Sequence, residues 1–200
     1  RFYFIKSFYY YTHMFIFKKK YFLLIESIKD INLSNIKKKH KFVIIYRPGT
    51  NKEKICDVKS FRNSCRQKTI QFYIANNIKL CILLQSDGIY LSSYNRTYKP
   101  LNYKNYNFKI IGSAHNLNEI RLKIKQGCDY IIFSKLFLVD YNKNSLYLGI
   151  NRFNNFLNNI YKKLIPLGGI KINNINKLKN LNSEGFALMS EIKKKPAILD

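Results

Sequence analysis

Eight short apolar runs recur along this chain of 200 residues, and segments with helical spacing separate most of them. The runs are Tyr21–Ile25, Phe42–Tyr46, Ile70–Ile74, Gly88–Leu91, Lys109–Gly112, Asp129–Phe133, Leu164–Gly168 and Gly185–Met189. Each is apolar and strand-like, and Leu164, Ile165 and Leu167, apolar without strict alternation, read as a buried strand. Helical spacing is clearest in Ile55, Val58, Phe61 and Cys65, in Ile78, Cys81 and Ile82, in Leu117, Ile120, Leu122 and Ile124, and in Phe153, Phe156, Leu157 and Ile160. Strands alternating with helices mean βαβ units and a parallel sheet, and eight units in one modest domain is the count of a (β/α)8 TIM barrel. A doubly wound open sheet is the competitor, and its dinucleotide-binding form loses ground because no G-x-G-x-x-G follows the first run. The connection over 95–107 is thin, and the helix expected after Ser190 is short.

The formal net charge of +25, from 36 Lys+Arg against 11 Asp+Glu, points by itself to nucleic acid or an anionic surface. Saturation with Lys, Asn, Ile, Tyr and Phe, the residues of AT-rich codons, accounts for the same excess. The lysine runs at 18–20, 37–39 and 193–195 are scattered without an Arg-rich stripe, so solvated surface is the reading taken and a basic nucleic-acid binder is the remote alternative. Cysteines 56, 65, 81 and 128 form no C-x-x-C and have no His at metal spacing, which suits a reduced, cytoplasmic protein with Cys81 and Cys128 as small core residues. The aromatic N-terminal stretch is broken by Lys6, His13 and Lys18 to Lys20, so no membrane span is expected there, and without a small-residue cleavage site no signal peptide is expected either. The expected organisation is residues 1–13 as an upstream extension and 14–200 as a single barrel domain. Oligomeric state is not legible.

Within "KLIPLGGIKINN", an apolar run stops at Gly168 and Gly169. Glycine freely supplies positive φ and close backbone approach. Asn173 or Asn174 is positioned to cap a helix through Ile175, Leu178 and Leu181, and a strand–glycine–helix order can cradle an anion with backbone N–H groups. An ordinary tight turn is the plainer alternative. In barrels, phosphate sites are often built by the loops after strands seven and eight, which would bring Gly168 and Gly169 together with Met189 and Ser190.

The stretches "IIGSAHNLNEI" (110–120), "GCDYIIFSKLF" (127–137), "YLGI" (147–150), "IPLGGI" (165–170) and "EGFALMSEI" (184–192) occur in an order and spacing that resemble the thiamine phosphate synthase and thiazole tautomerase family. "FYIANNIKLCILLQSDGIYLSSYN" (72–95) and "IIYRPG" (44–49) extend the likeness. The resemblance implies a (β/α)8 barrel that joins a hydroxymethylpyrimidine diphosphate to a thiazole phosphate and releases pyrophosphate. It implies Arg47 on the diphosphate, Ser113 on pyrophosphate, and Gly169 and Ser190 at the thiazole phosphate. His115 matches a histidine tied to proton transfer in the tautomerase branch, and a helix-start residue bonding to its own turn is the structural alternative.

The same resemblance exposes departures. The family's two metal-holding aspartates fall here on Asn76 and Asn95, and Mg2+ on a diphosphate relies on one or two carboxylates. Gly49 stands where the family has a second cation, and in "VDYNKN" Lys143 is an out-of-register substitute for another, with Asp140 nearby. Three readings follow: a working synthase that uses Mg2+, a metal-independent tautomerase-like enzyme using His115, or a phosphate-binding barrel without catalysis. Tyr90 and Tyr94, at the end of the fourth run, either line the pocket or cover its rim.

Overall fold

The computed structural model describes residues 19–36, 41–50, 53–139, 146–160 and 163–189. Eight strands form, one on each expected run: β1 (Lys20–Ile25), β2 (Phe42–Tyr46), β3 (Gln71–Ala75), β4 (Gly88–Leu91), β5 (Lys109–Ala114), β6 (Tyr130–Ser134), β7 (Leu164–Leu167) and β8 (Gly185–Leu188). The strand pairings are parallel, and the order β7-β6-β5-β4-β3-β2-β1-β8 leaves β7 and β8 side by side in a nearly closed barrel.

The continuity of the apolar runs has a direct cause. Phe22, Leu24, Val43, Ile45, Tyr73, Tyr90, Ile111, Ile132, Ile165 and Ala187 fill the interior. Their neighbours on the other face, such as Leu23, Ile44, Phe72 and Ile110, pack beneath the surrounding helices. Register stacks the inner residues, with Leu24 beside Ile45, Ile45 beside Tyr73, and Tyr90 beside Ile111. At the N-terminal floor, Tyr130 donates its hydroxyl to Glu184 Oε2 at 2.9 Å and accepts from Lys20 Nζ at 3.0 Å.

Among the described residues four α-helices cover the barrel: α1 (Ile55–Gln67), α2 (Ile78–Leu83), α3 (Leu117–Lys125) and α4 (Gly149–Asn159). Asn77 caps α2 and Asn116 caps α3, each accepting the N–H three residues on at 3.0 Å. The remaining connections are short 3-10 segments, including Lys99–Tyr106 after β4 and Ile172–Asn180 after β7. The second of these corrects the expected α-helix after Gly169. Four asparagines lie within its nine residues, and asparagine competes with helical bonding by capturing nearby backbone groups. Asn174 does so here, accepting from Lys171 N at 2.8 Å and donating to Gly169 O at 2.7 Å.

Cys81 is buried within α2, whereas Cys128 lies in the turn between α3 and β6, buried but not helical. All four cysteines are free thiols. Among the described residues no helix is long and apolar enough to cross a membrane. The N-terminal stretch 1–13, the lysine runs at 37–39 and 193–195, Asp140, Lys143 and Ser190 lie outside the described residues.

Candidate active site

Side chains alternate along a strand, so the position two beyond the last inner residue faces the C-terminal mouth. Arg47 follows Ile45 in this way, Ser92 follows Tyr90, Ser113 follows Ile111, and Ser134 follows Ile132. Ala75, Leu167 and Met189 stand at the same level and pack against the inner core, and Glu26 follows Leu24 on β1. One mouth therefore collects a guanidinium, a carboxylate and three hydroxyls above an apolar plug.

Arg47 is fixed through its backbone, donating N–H to Ile25 O at 2.8 Å, and its guanidinium carbon lies 5.9 Å from the centre of the Tyr90 ring. That spacing permits a cation–π contact, which orients the charge across the barrel toward β4. Burial pushes the Tyr90 phenol up from its usual pKa, and the neighbouring Ser113 hydroxyl and Arg47 charge partly offset this. Tyr90 is thus an inner residue, while Tyr94 covers the rim at 78% exposure. Arg47, Tyr90 and Ser113 form one continuous polar track.

His115 resolves into two roles. Its backbone N–H donates to Glu119 Oε2 at 2.7 Å, within the capped start of α3. Its ring Nδ1 lies 2.7 Å from Ser134 Oγ, across at the end of β6. The residue is therefore both part of its own turn and linked to the neighbouring strand. Ser134 was not singled out in sequence; its inward parity, two beyond Ile132, is the signal that finds it.

Asn76 and Asn95 are brought together as the spacing implied, but not as open ligands. Asn76, with φ at 57°, donates its backbone N–H to Tyr90 O at 2.8 Å. Its Oδ1 accepts from Ser92 N and from Asn95 Nδ2, both at 3.0 Å. Its Nδ2 donates to Ser92 Oγ and to Tyr94 Oη. Asn95 Oδ1 accepts from Thr97 N at 2.9 Å. Two neutral amides whose oxygens already accept protein N–H groups do not fit Mg2+, which needs hard, charged oxygen donors. Among the described residues no three His, Cys, Asp or Glu side chains converge as a metal would require.

Gly168 and Gly169 adopt φ of 101° and 66°. A Cβ on Gly169 would lie 2.3 Å from Leu138 O and 2.7 Å from Phe137 O. The segment after β6 is stitched to these glycines, with Leu136 N donating to Leu167 O and Phe137 N to Gly168 O. The need for glycine at 169 is thus met by backbone packing against residues 137–138. Met189, just after β8, packs against the inner core.

The profile described as thiamine monophosphate synthase matches residues 23–192. A thiamine-phosphate synthase of Prochlorococcus marinus (strain AS9601) is 29% identical over 171 residues, covering 84% of this chain and 48% of that protein. Another, from Bacillus cereus (strain ZK / E33L), is 25% identical over 148 residues, covering 72% of this chain and 66% of its own. The chain spans about half the length of the Prochlorococcus relatives it matches. Among solved structures, thiamine phosphate pyrophosphorylase from Pyrococcus furiosus superposes with a TM-score of 0.68 at 18% identity, covering 93% of this chain and 95% of the other, a likeness of fold.

Proposed function

This chain belongs to the thiamine monophosphate synthase family, and on that premise we propose that it joins a hydroxymethylpyrimidine diphosphate to a thiazole phosphate with release of pyrophosphate. The observation that carries the reading is the polar track of Arg47, Tyr90 and Ser113 at the C-terminal mouth, where barrel chemistry is done.

In the proposed reaction the bond between the pyrimidine methylene carbon and the diphosphate oxygen breaks, its electron pair leaving with pyrophosphate. The thiazole nitrogen supplies the pair that forms the new C–N bond, so no further reactant is required. Negative charge grows on the departing oxygen as the bond lengthens. Arg47 supports that charge with a planar, permanently charged fork suited to phosphate oxygens, and the Ser113 hydroxyl adds a donor held close to a buried ring. The loops after β7 and β8, carrying Gly168, Gly169 and Met189, are proposed to take the thiazole phosphate, with Ser190 and Lys143 as further contacts from the sequence. The donor set at Asn76 and Asn95 does not fit Mg2+, so no step is assigned to it. The setting proposed is the cytoplasm, supported by four cysteines that remain thiols.

The hydrogen bond between His115 and Ser134 favours a second reading, a thiazole tautomerase-like proton transfer at the same mouth. The two readings separate in one experiment. The purified chain is given both substrates with Mg2+ in solution, and thiamine phosphate is followed beside deuterium uptake into thiazole phosphate from heavy water. Thiamine phosphate formation, with kcat/KM lowered on the order of a hundredfold by Arg47→Met, supports the first reading. Deuterium uptake without coupling, abolished by His115→Ala, supports the second. Neither product nor exchange refutes both.

A further inference from the structure

Lys123 lies on the face of α3 that packs against the barrel, three residues after Ile120, and its side chain is fully buried. Its stem runs over Gly112 of β5, where a Cβ would come within 2.9 Å of the Lys123 Cγ and Cδ atoms. The glycine opens the passage. The ammonium then emerges beneath the loop that follows β4, donating to Ser92 O and Asn95 O at 2.7 Å each and to Gln126 Oε1 at 3.0 Å. Three donors thus meet three acceptors, all of them neutral oxygens. Gln126 completes the arrangement, its Nε2 donating to Asn95 O at 3.1 Å and Thr97 O at 2.7 Å.

From above, the same loop is gripped by Asn76 through Ser92 N and Asn95 Nδ2. Ser92 and Asn95 are therefore held on one side by amides and on the other by a positive charge fixed to the protein. A buried ammonium is costly to desolvate and persists only where its protons are fully accepted. Here those acceptors are the loop carbonyls, so the charge and the loop conformation depend on one another.

We infer that the loop after β4 is organised by the resident ammonium of Lys123 and the Asn76–Asn95 amide pair, and that the protein forms this side of its mouth without a divalent cation. The inference borrows from the proposed function only the equivalence of Asn76 and Asn95 with metal-holding positions, and its test uses neither substrate.

The experiment is amide hydrogen exchange on the full chain in chelator and in Mg2+, with Mn2+ binding followed by electron paramagnetic resonance. The amides of Asn95 and Thr97, bonded to Ser92 O and Asn95 Oδ1, report on the loop. In the wild type their protection is expected to be the same with and without Mg2+, and Mn2+ is expected to find no saturable site. Lys123→Met is expected to accelerate both amides on the order of tenfold or more while the β5 amides stay protected, because hydrogen bonds to a charged group are lost locally. Added Mg2+ should not restore them. Asn95→Ala, a change at a half-buried residue of the rim, serves if the lysine variant fails to fold, and should release Thr97 alone. Loop protection that appears only with Mg2+ would overturn the inference. So would a saturable Mn2+ site removed by Asn76→Ala, or an Asn95→Ala loop whose Thr97 amide exchanges as in the wild type.

Discussion

Replacing Gly169 with alanine tests whether this glycine serves the chain or a ligand. The added Cβ meets Leu138 O at 2.3 Å and the Phe137 carbonyl at 2.7 Å, and both obstacles are backbone, which cannot rotate away as a side chain would. The φ of 66° adds a separate cost, about 1–2 kcal/mol for an L-residue in the left-handed region. Forcing the segment at residues 137–138 outward adds about 1–3 kcal/mol, the usual range for an overpacked site. Together these make about 2–5 kcal/mol, or a fall in Tm of roughly 4–20 °C for a domain of this size. Gly149 supplies the control. Its φ is 70°, yet a Cβ there meets nothing within 4 Å, so Gly149→Ala should carry the conformational cost alone and lower Tm by roughly 2–8 °C. Thermal unfolding of both variants by circular dichroism, with thiazole phosphate affinity measured at a temperature where both are folded, separates the terms. A Gly169→Ala protein as stable as the Gly149→Ala control, with loss confined to ligand affinity, would refute the packing explanation.

Alkaline pH should unfold the protein. Burial pushes the Tyr21 and Tyr130 phenols up to about 12, with a hydrogen bond and charge from Glu184 adding to the latter, and it pushes the Cys65 and Cys128 thiols up to about 12. Each group is an acid whose folded pKa exceeds its unfolded value, so its contribution is complete below the unfolded pKa and is lost as pH rises through about 9 to 12. Burial lowers the pKa of Lys19 to about 8 and lowers those of Lys41 and Lys123 as well, which works in the opposite direction, but the buried tyrosines and cysteines outnumber these three lysines. A stability profile by urea unfolding from pH 9 to 12 should therefore fall, and a rising profile would contradict the burial described. Ser134→Ala should lower the rate of any His115-dependent deuterium uptake without changing Tm by more than a degree or two, because it removes the Nδ1 partner at an exposed site; an unchanged rate would show that Ser134 does not position the ring.

The barrel was legible because its strands are buried on both faces, which writes them as unbroken apolar runs. Phe42–Tyr46 and Gly88–Leu91 match their observed strands end to end, and the other six differ by no more than two residues at either end. The polar mouth was harder to read. Arg47, Ser113 and His115 were found through the order of motifs, yet nothing in that order says that His115 reaches Ser134. Asn76 and Asn95 stand 19 residues apart, and only the turn of each strand end shows that their amides bond to one another. Lys123 was hidden by composition: among 36 basic residues one more lysine draws no notice. Its place three residues after Ile120, on the face that meets the barrel, was the available signal. The 3-10 segment after β7 was missed because Ile175, Leu178 and Leu181 keep helical spacing while the intervening asparagines favour local turns.

The measurement that bears most directly on the function is turnover: the purified chain, hydroxymethylpyrimidine diphosphate and thiazole phosphate, with Mg2+ in solution. Formation of thiamine phosphate and pyrophosphate in equal amounts, lost in Arg47→Met while its unfolding curve is retained, is the result expected. A folded chain that forms no thiamine phosphate, and binds neither substrate, would contradict it.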